Sequence, residues 1–101
     1  MDKRQEIAQF SKCISKSQIL ARGRIVIHSV ILVATSGGTA DVTIYDGDNT
    51  SGEKKMRLKA SADTVNAVAF PIGFLLNQAM FVSIGSNVDC VCISWSHVES
   101  G

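Results

Sequence analysis

Residues 24–35 read R-I-V-I-H-S-V-I-L-V-A-T. β-Branched side chains fill most of this stretch. Such residues pack well on a pleated surface and lose rotamer freedom in a helix. Ser36-Gly37-Gly38 closes the run with turn chemistry. The segment is a long strand, and it points to an all-β chain. It is also apolar on both sides. Ile25, Ile27, Ile31 and Val33 form one set, and Val26, Val30, Leu32 and Ala34 form another. A strand of an antiparallel sheet commonly turns one polar face to water. The second set therefore needs a cover, from the N-terminal segment through Ile7, Phe10 and Ile14 or from a neighbouring subunit.

Strand signals continue outward from this stretch. D-V-T-I-Y-D (41–46) runs into the turn-rich G-D-N-T-S-G (47–52). In K-K-M-R-L-K-A (54–60), Lys55, Arg57 and Lys59 face one way while Met56, Leu58 and Ala60 face the other, which is half-buried strand alternation. Val65–Ile72 is a further strand, and Pro71 near its end marks an edge or a strand exit. Ala79–Ile84 follows and stops at Gly85-Ser86-Asn87. The last strand is D-C-V-C-I-S-W-S-H-V (89–98), with Val91, Ile93 and Trp95 on one face and Cys90, Cys92, Ser94 and Ser96 on the other. Toward the N-terminus, residues 2–14 are the one helix candidate: Asp2 caps it, and Ile7, Phe10 and Ile14 fall at i, i+3, i+7. So short a helix is marginal alone, so it lies on a surface or is an extended arm. Six or seven short strands separated by turns predict an antiparallel β-sandwich or jelly-roll-like barrel with a short N-terminal arm or helix. The arm spans residues 1–18 and the β-sandwich domain 19–101.

Composition limits the function. At 101 residues the chain is one domain, and 46% apolar with 19% charged residues excludes a disordered one. A formal net charge of +1 gives no global field for nucleic acid or membrane. The basic residues are unevenly placed: Lys3, Arg4, Lys12, Lys16, Arg22 and Arg24 face only Asp2 and Glu6 in the first 24 residues. A basic arm of this kind reads as a solvated tail, with contact to an acidic partner surface as the alternative. Cys13, Cys90 and Cys92 make an odd count, which argues against a secreted disulfide framework, and all three read as reduced packing residues. The first ten residues are charged, unlike a signal peptide, and 25–34 is too short for a membrane span. These features predict a soluble protein made in a reducing compartment.

No chemical motif is complete. Asp46 and Asp48 occupy the first two ligand positions of an EF-hand-type loop, but Ser51 stands where the turn glycine belongs and Arg57 where the closing glutamate belongs. The stretch 46–52 reads as a hairpin tip, with weak Ca²⁺ binding at Asp46 and Asp48 as the minor alternative. Cys90, Cys92 and His97 have no recognised zinc spacing. His28 in an apolar strand reads as a hydrogen-bonded core or interface residue. S-G-G-T (36–39) lacks the lysine and helix of a phosphate loop. Lys55, Arg57 and Lys59 form a basic face without interleaved aromatics, so stacking on single-stranded nucleic acid is not expected. The reading is a protein without catalytic, cofactor or metal site.

The run I-H-S-V-I-L-V-A-T-S-G-G-T-A-D-V-T-I-Y-D-G-D-N-T-S-G-E-K (27–54) resembles small virion proteins of tailed bacteriophages. F-P-I-G-F (70–74) and the closing C-I-S-W (92–95) extend the resemblance over residues 19–97, and Asn77-Gln78-Ala79 departs from it where an N-G or R-G turn is usual. The resemblance implies a β-sandwich module of the virion that decorates or cements the capsid, binding the major capsid protein as a homo-oligomer, with a trimer favoured. A neck, tail or head-fibre component, or a receptor-binding module, is the alternative. It implies no specific nucleic acid, no membrane and no cofactor. Assembly would take place in the host bacterial cytoplasm. The interface residues expected on these grounds are Ile7, Phe10, Ile14, Val26, Val30, Leu32, Lys55, Arg57 and Lys59.

Overall fold

The computed structural model describes residues 9–98. It contains eight strands: β1 (Gln9–Ile14), β2 (Gln18–Arg22), β3 (Ile25–Ala34), β4 (Ala40–Asp46), β5 (Glu53–Ala60), β6 (Val65–Leu76), β7 (Ala79–Ile84) and β8 (Val88–His97). They form two antiparallel four-stranded sheets, ordered β1-β8-β3-β6 and β2-β7-β4-β5. The chain passes from one sheet to the other at every connection except the β4–β5 hairpin. This is the eight-stranded jelly roll. The expected sandwich is present.

The core lies between the sheets. Ile25, Ile27, Val30 and Leu32 of β3 meet Val42 and Ile44 of β4, Met80 and Val82 of β7, and Val91 and Ile93 of β8, all fully or almost fully buried. On β8 the expected faces hold: Val91, Ile93 and Trp95 point inward. Pro71 sits on β6, which is an edge strand as expected, although β6 continues past Ile72 to Leu76.

Strand β3 has an irregular register. Ile27 pairs with Trp95 and Ser29 with Ser94, so His28 is an extra residue without a ladder partner on β8. This β-bulge switches the strand's facing. Ile25 and Ile27 point inward before it, and Val30, Leu32 and Ala34 after it. The two-sided apolar pattern is thus partly one inner face seen through a bulge. The true outer residues are Val26, Ile31 and Val33.

The helix expected over residues 2–14 is corrected for its described part. Gln9–Ile14 is a strand, with Phe10 opposite Trp95, Lys12 opposite Ile93 and Ile14 opposite Val91. Pairing with β8 satisfies backbone groups that an exposed edge would leave open, and this outweighs a marginal helix. The reading of all three cysteines as reduced is also corrected. Cys13 and Cys92 are directly opposed in this register and form a disulfide, while Cys90 is free.

Candidate interaction surfaces

The hairpin tip after β4 is organised by Asp46. The residue is 6% exposed. The carboxylate accepts backbone N–H bonds from Asn77 (2.9 Å), Gln78 (2.8 Å) and Ala79 (3.3 Å), the turn between β6 and β7. The Gly47 N–H donates to the Ala79 carbonyl at 3.1 Å, so side chain and backbone hold one turn together. A Cβ on Gly47 would stand 2.9 Å from Gly52 Cα, and one on Gly52 would stand 2.7 Å from the Asp46 carbonyl oxygen. Both glycines are required by this close approach. Burial pushes the Asp46 pKa up, but the three N–H bonds and nearby Lys55 outweigh it and hold the carboxyl below its ordinary 3.8.

Asp48 turns away and pairs with Arg22 at 2.9 Å, both largely exposed. The two aspartates therefore do not converge. Among the described residues no group of three His, Cys, Asp or Glu side chains is placed to hold a metal ion. His28 Nε2 lies 2.8 Å from Ser96 Oγ, and Ser29 Oγ lies 2.6 Å from Ser94 Oγ. These pairs tie the bulge of β3 to β8.

The expected interface residues separate into three groups. Ile7 lies outside the described residues. Val30 and Leu32 are corrected: the bulge at His28 turns both into the core, and neither leaves surface for a partner. Ile14 is also buried between the sheets. Phe10 is 43% exposed and covers Trp95, with ring centroids 5.8 Å apart, and meets His97 edge-on at 5.6 Å. Val26 is half-buried on the outer face of the β1-β8-β3-β6 sheet.

Arg57 and Lys59 stand on the outer face of the other sheet, opposite Thr43 and Asp41. Arg57 pairs with Asp41 at 3.0 Å and Lys55 with Glu53 at 3.5 Å. Lys55 sits at a register shift between Met56 and Lys54. Tyr45 and Phe81 lie beside this basic row, 6.3 Å apart.

The outer face of the β1-β8-β3-β6 sheet is different. Strands β3 and β6 contain no Asp, Glu, Lys or Arg. Ile31 (38%), Val65 (58%) and Leu75 (42%) are exposed there. The pairing of β6 with β3 lapses between Ala69 and Phe74, and Phe70–Gly73 forms an excursion. Phe70 and Phe74 pack at its base, 5.2 Å apart, and Ile72 at its tip is 98% exposed. Gly73 (φ 96°) lies so close to Val26 that any Cβ there would collide with it. Sequence reading missed this surface because it assigned Val65–Ile72 to one unbroken strand. The F-P-I-G motif, with a proline and a glycine inside an apolar run, was the available signal.

No family model matches the chain, and no curated protein matches it. Solved structures do. A subunit from the structure described as "Bacillus endospore appendages form a novel family of disulfide-linked pili" superposes with a TM-score of 0.54 at 10% identity, over 99% of this chain and 95% of that one. The extra small virus particle of the giant freshwater prawn Macrobrachium rosenbergii gives 0.39 at 10% identity, over 98% and 86%. Hydroquinone 1,2-dioxygenase from Sphingomonas sp. TTNP3 gives 0.33 at 13% identity, over 98% and 63%. At these identities the likeness to the pilus subunit is one of fold: this chain is similar to it in the jelly roll.

Proposed function

We propose that the chain is a structural subunit of a bacteriophage virion that decorates the assembled head, binds its major capsid protein and stabilises the shell. It acts as a homo-oligomer, by burial and shape, without chemistry of its own. The observation that carries this reading is the contrast between the two outer sheet faces. One presents Lys54, Arg57 and Lys59; the other exposes Ile31, Val65 and Leu75 on strands without charge. A module with a basic face and an apolar face is built to sit between neighbours. The resemblance over residues 27–54 and the jelly-roll fold shared with a subunit of an endospore pilus support it. A ligand that binds only the assembled form stabilises that form, and repetition over a shell multiplies the gain. The Cys13–Cys92 bond suits the oxidising surroundings of a released particle, closing after cytoplasmic assembly.

The test is cosedimentation of the purified chain with empty heads assembled from the major capsid protein of the same phage. Saturable binding at hundreds of copies per head, the order expected of a symmetric shell, is the expected result. A chain that stays in the supernatant moves the assignment to a neck, tail or head-fibre component.

A further inference from the structure

We infer that the apolar outer face of β3 and β6 is a self-association surface, on which the Ile72 knob of one copy packs against Ile31 and Val65 of the next around a two-fold or three-fold axis. The inference deepens the assembly reading above by naming the surface through which copies meet.

Among the described residues, four of the five exposed large hydrophobic side chains, Ile31, Val65, Ile72 and Leu75, lie on these two adjacent strands. Between Thr64 and Val88 the chain carries no Asp, Glu, Lys or Arg. An uncharged apolar surface is matched only by another one, because a charged partner would lose hydration without gaining a counter-charge. The outer face of the opposite sheet offers Asp41, Lys54, Arg57 and Lys59 and is no match. Among the described residues the surface that matches it is the same face on a second copy. Closed symmetry buries it completely and leaves no apolar patch to recruit more chains.

The contact uses side chains, not strand addition. The free edge of β6 is interrupted between Ala69 and Phe74, and Pro71 there has no N–H to offer a neighbour. The excursion is a built knob: Phe70 and Phe74 brace its base, and Gly73 lets it lie against Val26. An apolar side chain held this way, 98% exposed, has the form of an interface anchor.

Sedimentation equilibrium of the oxidised full chain, without heads, tests this. The wild type is expected at two or three times the chain mass. Ile72→Asp is expected to weaken association at least ~100-fold by placing a charge in an apolar contact. Val65→Asp should act in the same direction, and Lys59→Glu should leave the oligomer intact. Because Ile72 is exposed, the melting temperature of monomeric Ile72→Asp should stay at that of a diluted, monomeric wild type. A wild type that is monomeric at about 100 μM, a concentration that populates even weak specific oligomers, overturns the inference. So does an Ile72→Asp variant that remains oligomeric. A monomer that binds heads sinks the self-association surface alone, and an oligomer that ignores heads sinks the capsid role alone.

Discussion

Replacing Asp46 by Asn tests the anchor at the hairpin tip. The side chain keeps its shape and loses its charge and one acceptor. Oδ1 takes the Gln78 and Ala79 N–H groups and Oδ2 takes that of Asn77. An amide retains one oxygen and turns an NH₂ toward the remaining donor. Two charge-assisted bonds become neutral ones, and one N–H is left facing a donor in a buried site. Together these changes cost about 3 kcal/mol. For a domain of this size the melting temperature falls by about 15 °C. The single tryptophan, Trp95, is buried and reports unfolding by fluorescence in urea. Asp48→Asn is the control: its pair with Arg22 is exposed, and its loss costs under about 1 kcal/mol. The pH dependence carries a definite sign. The folded pKa lies below 3.8, so the contribution of Asp46 is fully present above the unfolded value and disappears as pH falls through the folded one. The gap between wild type and Asp46→Asn must therefore narrow in acid. A gap that is no larger than that of Asp48→Asn, or one that widens in acid, would refute the anchor.

Two further outcomes follow from the fold. The Cys13–Cys92 bond spans a sequence separation of 79, and closing a loop of that size is worth about 4.5 kcal/mol in the chain-entropy model. Cys13→Ser, or reduction of the wild type, should lower the urea midpoint accordingly, while Cys90→Ser leaves it unchanged. Gly73→Ala places a methyl against Val26 at a positive φ and should cost at least about 2 kcal/mol in the same titration.

Much of the fold is legible because β3, β4, β5, β7 and β8 each carry a local alternation or β-branched signal. What local pattern hides is decided by pairing between distant strands. Residues 9–14 fit a helical spacing at Phe10 and Ile14, and only β8, some eighty residues away, makes them a strand. The disulfide was lost with that strand, because Cys13 faces Cys92 only in the β1–β8 register. The bulge in β3 left one trace: His28-Ser29 places two polar residues together where strict alternation allows one. Counting across it sent Val30 and Leu32 to the surface when they are core. The D-G dipeptide signals a turn, and one joins β4 to β5, but local pattern does not show what that turn holds. Asp46 holds the turn at Asn77–Ala79.

The edges of the sandwich explain why a face, not a strand, is left to make contacts. Each sheet has two edges, and every one is blunted. β5 carries Lys54, Lys55, Arg57 and Lys59. β2 is five residues long and breaks register between Ile19 and Ala21. β1 places Lys12 at its centre and is tied to β8 by the disulfide. β6 would be the long uncharged edge that invites open-ended strand addition, and it is there that Phe70–Gly73 leaves the ladder. The same excursion that spoils the edge exposes Ile72 beside the adjoining apolar face, where Gly73 lies against Val26. Strand addition can continue without limit, whereas packing of a knob on a face around an axis closes on itself. A protein that must associate in fixed number gains from blocking the first route while building the second, and in this chain one four-residue segment does both.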